Sequence, residues 1–222
     1  MYAFVINAIG VVVGALVGLA LKDHLPRRLL DGIKSALGLL TLVLAITLVI
    51  KGDFLLVAGS VLAGTAIGEA LHIEAAFNRM ADYFKSKVKA RDSTFAEGMV
   101  TAALITCIGP LAILGSLADG LSGDPTLIYS KTMLDAFASA SLAATLGIGV
   151  AFSAIPLLIY QGAITLAASL LSGYLTAKAI GLMSAVGGVL IFGISLDLLG
   201  LKKVRLANML PSIGIAFVLA LI

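Results

Sequence analysis

Lys131, Asp135 and Ser139 stand four residues apart in KTMLDAFASASL, so a helix would place them on one face, each one turn beyond the last. An ammonium and a carboxylate in an otherwise apolar run are costly within a bilayer, and such groups mark ion, proton or solute paths. The pattern recurs: RRLLDGIKSALG sets Asp31 four residues before Ser35, and KVRLANMLPSIG sets Asn208 four before Ser212.

A second pattern concerns the backbone. CIGPLAILGSLAD (107–119) and AVGGVLIFGISLD (185–197) match without a gap, aligning Gly109-Pro110 with Gly187-Gly188 and Asp119 with Asp197. Proline inside a helix removes a donor and clashes with the preceding turn, at roughly 3 kcal/mol. Both segments are therefore expected to be interrupted near mid-span. The freed backbone groups, beside Thr106 in the first copy, could coordinate an ion or small polar solute, because lipid cannot satisfy them. A kink that helps helices pack is the competing reading, and for the charged residues it is interfacial capping.

The elements that would carry these groups are membrane spans. The chain has 222 residues, 60% of them hydrophobic and 12% charged, with mean hydropathy +1.13, which leaves too little polar surface for a soluble globule. The expected fold is all-α, a polytopic transmembrane bundle. Eight apolar stretches have the length needed to cross about 30 Å of hydrocarbon. They cover residues 3–21, 28–50, 54–72, 95–118, 127–153, 154–172, 179–199 and 204–222. The fifth and sixth are divided at Ser153-Ala154-Ile155-Pro156, since the residue before proline is pushed out of helical geometry.

Basic residues fall mainly in alternate loops. Lys22, Arg27, Arg28, Arg79, Lys85, Lys87, Lys89, Arg91, Lys202, Lys203 and Arg205 lie on one side, and Lys51, Lys131 and Lys178 on the other. By the positive-inside rule the first side is cytoplasmic and both termini are outside. Residues 73–94 carry Ile73, Phe77, Met80, Phe84 and Val88 at helical spacing, which predicts an amphipathic helix on the anionic leaflet.

The matching segments imply three-span repeats: 1–72, an inverted copy at 95–172 after the linker 73–94, and a truncated copy at 173–222. A three-span unit is odd, so consecutive copies are inverted, a recurrent design of transporters with a site at the repeat interface. The expected function is transport of a small ion or polar solute. The candidate site residues are Thr106, Gly109, Pro110, Asp119, Lys131, Asp135, Ser139, Asp31, Ser35, Gly187, Gly188, Asp197, Asn208 and Ser212. An ion channel, or a non-transporting scaffold that recruits a cytoplasmic partner, is the alternative. The expected partners are the lipid bilayer, the solute and further copies of the chain, with no nucleic acid; the pI near 9.0 follows from the loop bias.

Nothing in the sequence calls for an enzyme, a cofactor or a metal. His24 and His72 have no metal-ligand spacing, Cys107 reads as a small packing residue, and no Walker loop, G-x-S-x-G or dinucleotide fingerprint is present. The segments TCIGPLAILGSLADGLSGD (106–124) and SKTMLDAFASASLAATLGIGVAFSA (130–154) resemble the YdfK/YqgA group of bacterial multispanning membrane proteins, of unknown function. That resemblance implies an inner-membrane location and supports eight spans, but supplies no site residues.

Overall fold

The computed structural model describes residues 2–22, 26–87, 94–108, 110–171 and 173–221. Its elements are α-helices and short 3-10 turns, and no strand occurs among the described residues. In chain order they are α1 (Ala3–Lys22), α2 (Arg27–Val49), α3 (Phe54–Ala70), α4 (Ile73–Lys87), α5 (Phe95–Cys107), α6 (Pro110–Ser122), α7 (Thr126–Leu146), α8 (Ala154–Leu166), α9 (Ala168–Leu171), α10 (Ala177–Leu198) and α11 (Pro211–Ala220). Short 3-10 segments, Ile148–Ser153 and Leu206–Met209, precede α8 and α11.

Local chemistry sets the helix ends. Asp53 caps α3 by accepting from the amides of Leu55 and Leu56, and Thr176 caps α10 by accepting from Ala179. Asp124 accepts from the amide and hydroxyl of Thr126 at the start of α7, and these donors hold its carboxyl below the usual carboxylate range. The chain leaves α7 six residues before the break expected at 153–156. Gly147, at φ 84°, takes up the left-handed turn that ends the helix, and Pro156 falls in the first turn of α8, where a missing donor costs little.

The chain forms two compact units that cut across the three expected segments: residues 1–34 with 81–172, and residues 35–80 with 173–222. In the first unit α1 lies against α7. Gly10, Gly14 and Gly18 face Thr132, Ala136 and Ala140 in the same order, so the two helices run parallel. A Cβ on Gly14 would come within 2.8 Å of the Ala136 carbonyl carbon, and one on Gly18 within 2.7 Å of that of Ala140. This is the small-residue crossing that lets backbones approach in a membrane. Against α8, α1 runs antiparallel: Phe4 meets Gly162, while Ala8 and Val11 pack with Ala154 and Leu157.

In the second unit Gly64 and Gly68 of α3 face Ser212 of α11 and Asn208 of the turn before it, in reversed order, so α3 and α11 are antiparallel. The 35–49 part of α2 is likewise antiparallel to α10: Gly38 meets Leu199, Gly188 meets Leu48, and Gly52 meets Ala185. It turns by 116° into α3.

The fourth expected span is broken as predicted: α5 ends at Cys107, the next residue Ile108 is extended, and α6 leaves at 62° to α5. The seventh is not. α10 runs unbroken through Gly187 and Gly188, and both are buried. Two glycines cost a helix about 2 kcal/mol together, but Gly188 gives Ala45, Leu48 and Val49 of α2 a close approach, with a Cβ there 2.9 Å from Leu48. Packing retains a helix that propensity alone would weaken.

Candidate functional site

Inside the first unit α1, α7 and α8 bury a polar cluster. On α7 the Lys131 ammonium is paired with Asp135 Oδ2, with both side chains less than a tenth exposed. Asn7 on α1 donates from Nδ2 to the same Asp135 Oδ2 at 3.0 Å and to Gln161 Oε1 on α8 at 2.9 Å. Asn7 and Gln161 have no exposed surface at all. The order is fixed by chemistry, since an ionised carboxylate only accepts, so Asn7 must turn its amide nitrogen to Asp135. Among the described residues, Asn7 Oδ1, Gln161 Nε2, Ser139 Oγ and Thr165 Oγ1 are buried without a hydrogen-bond partner. Native interiors rarely leave such groups unmatched.

The stripe Lys131, Asp135, Ser139 is therefore present and faces inward, as its spacing predicts. Asp119, also buried in this unit, accepts from the amide of Ala3 at 3.3 Å and ties α6 to the start of α1. The end of α5 meets the same helices: Cys107 packs against the apolar core of α1 and α8. Pro110 has no N–H to return to the Thr106 carbonyl four residues back. The Thr106 hydroxyl itself is buried and donates to Ala102 and Ala103 of its own helix. Gly109 lies outside the described residues, as does the side chain of Pro110.

The remaining expected site residues have different settings. Asp31 and Ser35 are exposed on α2, whereas Asn208 and Ser212 are buried in the second unit. Asn208 caps α4, accepting from the Glu74 amide at 2.6 Å, while the Glu74 carboxylate accepts from the Ala207 amide at 3.1 Å. This reciprocal cap satisfies helix-terminal donors and explains both residues structurally. Ser212 donates to the Val61 carbonyl at 3.4 Å and fills the space left by Gly64. Arg205 pairs with Glu69 at 3.0 Å on the same side of the unit. Gly187 and Gly188 lie within unbroken helix, and Asp197 is half-buried near the end of α10. The side chains of Lys34, Phe77, Met80 and Phe84, and all of Val88, lie outside the described residues, so the apolar face expected on α4 does too.

Asn7, Gln161 and Thr165 escape a reading that weighs charges alone. The usable signal is a carboxamide within an apolar run, AFVINAIGVVV and PLLIYQGAITL, because such a group needs partners in lipid as a charge does. Among the described residues no three His, Cys, Asp or Glu side chains converge as a metal site would require.

By length and composition three described segments can cross a membrane: Ala3–Lys22, Ile148–Leu166 and Ala177–Leu198. Five can if each bent pair, α2 with α3 and α5 with α6, counts as one span. α7, with its charge pair and hydroxyls, and the ten-residue α11 do not qualify alone. Apolar helices around a sequestered ion pair define the class, a helical membrane protein. More narrowly, the chain belongs to the family described as "Protein of unknown function (DUF554)", which it matches over residues 2–221. It is 32% identical over 219 residues to the uncharacterized membrane protein YdfK of Bacillus subtilis (strain 168), covering 96% of this chain and 93% of that one. It is equally identical over 221 residues to the uncharacterized protein YqgA of Escherichia coli (strain K12), covering 97% and 94%. No solved structure matches.

Proposed function

We propose that this protein, without enzymatic activity, moves a small ion or polar solute across the bacterial inner membrane by way of the Asn7–Lys131–Asp135–Gln161 cluster. The observation that carries the reading is a buried ion pair joined to two amides that keep unmet hydrogen-bonding capacity. A pair serving packing alone could be replaced by apolar side chains at little cost, and bound amides would be expected to have their partners within the protein.

Eight alternating spans with both termini outside give the membrane arrangement we favour. Four helix pairings support it: spans one and five must then run parallel, while one and six, two and seven, and three and eight must run antiparallel. Each pairing observed within a unit has the required sense. The repeats at 1–72, 95–172 and 173–222 are proposed as segments of the chain, related by the matching motifs and not by shared packing.

The test is flux in proteoliposomes, with ion-sensitive dyes for salts and light scattering for uncharged solutes. Wild-type protein is expected to carry at least one probe faster than protein-free vesicles, and Asp135→Asn to abolish that gain. A well-folded protein that carries none of them is a scaffold, and tags that place residues 73–94 outside would overturn the topology.

A further inference from the structure

From the charge balance and amide orientation of the cluster, we infer that its ligand is a small uncharged solute bearing both a hydrogen-bond donor and an acceptor, and not an inorganic ion. This names the substrate class for the transport reading above and rests on it for the route, though not for the binding.

The two amides are locked in sequence. Asp135 demands Nδ2 of Asn7, and Asn7 then offers its second amide hydrogen to Gln161, which must answer with Oε1. Turning Asn7 over would set its carbonyl oxygen against the carboxylate and the Gln161 carbonyl, and turning Gln161 over would set its NH2 group against that of Asn7. On these two amides the arrangement leaves one acceptor, Asn7 Oδ1, and one donor group, Gln161 Nε2, in addition to the Ser139 and Thr165 hydroxyls, each of which can donate or accept. Both amide groups are fully buried and, among the described residues, unpartnered, on side chains already bonded to each other. A molecule with a donor and an acceptor meets both.

The charges point the same way. Lys131 and Asp135 are matched with each other, so the cluster is formally neutral. A cation entering it would meet the ammonium and the Gln161 donor, and an anion would meet the carboxylate and Asn7 Oδ1. Either would also bring an unmatched charge into a region from which water has been removed, which is strongly disfavoured. An uncharged solute incurs neither cost.

Acetamide, with an N–H donor and a carbonyl acceptor, is a suitable probe against sodium and potassium chloride. The expected result is saturable thermal stabilisation of the detergent-purified protein by acetamide and not by either salt, with matching acetamide entry into proteoliposomes. Gln161→Met, similar in shape, and Gln161→Glu, which keeps the oxygen facing Asn7 but loses the donor, should each weaken acetamide binding about tenfold, the loss of one net hydrogen bond. The Glu variant serves if the Met variant does not elute as folded protein. Saturable stabilisation by a salt alone would overturn the inference while leaving transport standing. Acetamide that binds but does not cross would sustain the inference and remove transport. No acetamide binding, or binding unaffected by both substitutions, would overturn it.

Discussion

Replacing Lys131 and Asp135 singly and together separates a coupled buried pair from two independent polar residues. Lys131→Met leaves the Asp135 carboxylate with only the Asn7 amide, in a site where both side chains are less than a tenth exposed. Removing one partner of a buried pair costs about 3–5 kcal/mol, and Asp135→Leu should cost a similar amount by stranding the ammonium. The double variant strands no charge. It leaves Asn7 Nδ2 short of one acceptor, at about 1–3 kcal/mol, and is otherwise an apolar replacement of the sort that buried pairs tolerate. The single costs sum to about 6–10 kcal/mol, so the coupling recovered in the double variant is about 3–9 kcal/mol. The assay is equilibrium unfolding in mixed micelles, followed by helical circular dichroism for all four proteins. Additive effects, with the double variant as unstable as the sum of the singles, would refute a charge pair held out of water.

Gly14→Leu and Gly68→Leu should each lower the midpoint of thermal unfolding by the several degrees that accompany about 2–3 kcal/mol of overpacking, because a Cβ there meets the backbone of Ala136 or Asn208. Gly181→Ala and Gly59→Ala, with nothing within 4 Å, should raise it through up to about 1 kcal/mol of helix propensity each. Asn208→Ala should cost about 1 kcal/mol at the start of α4, seen as faster hydrogen exchange at the Glu74 amide without loss of the remaining helices. Asp124 has its carboxyl held low by Thr126, so its help to the first turn of α7 is present above the unfolded value, about 3.9, and is lost as pH falls through the lower folded value. Exchange at the Thr126 amide in acid, compared with Asp124→Ala, measures that loss, and a pH-independent amide would contradict it.

The parts of the fold written locally were legible. Helical spacing brought Lys131, Asp135 and Ser139 to one buried face, and Gly109-Pro110 marked the break between α5 and α6, since proline's missing donor acts wherever it stands. Gly187-Gly188 looked equivalent and was not. Glycine only lowers a propensity, and neighbours supplied from far along the chain decide whether the helix holds, as Leu48 and Val49 do here. Asn208 illustrates the same limit. Its spacing from Ser212 matches that of Asp135 from Ser139, yet its partner is an amide 134 residues away, which no spacing rule can reveal. Asn7 and Gln161 needed knowledge of which helices meet, because an amide's role depends on the group opposite it.

The parallel contact of α1 with α7 also has a consequence in time. Asn7 waits for Asp135, 128 residues later, and for Gln161, 154 residues later. At translation speeds of about 5–20 residues per second, the first of these delays lasts roughly 6–25 seconds. Through that interval α1 is in the membrane with an amide facing no partner of its own. The glycine face that will seat α7 is bare as well. The insertion machinery, the surrounding lipid headgroups or water must shelter this helix until the seventh has been made. Mutations at Asn7 that spare the finished protein could therefore alter how reliably α1 is inserted, a defect visible in nascent chains and absent from purified protein.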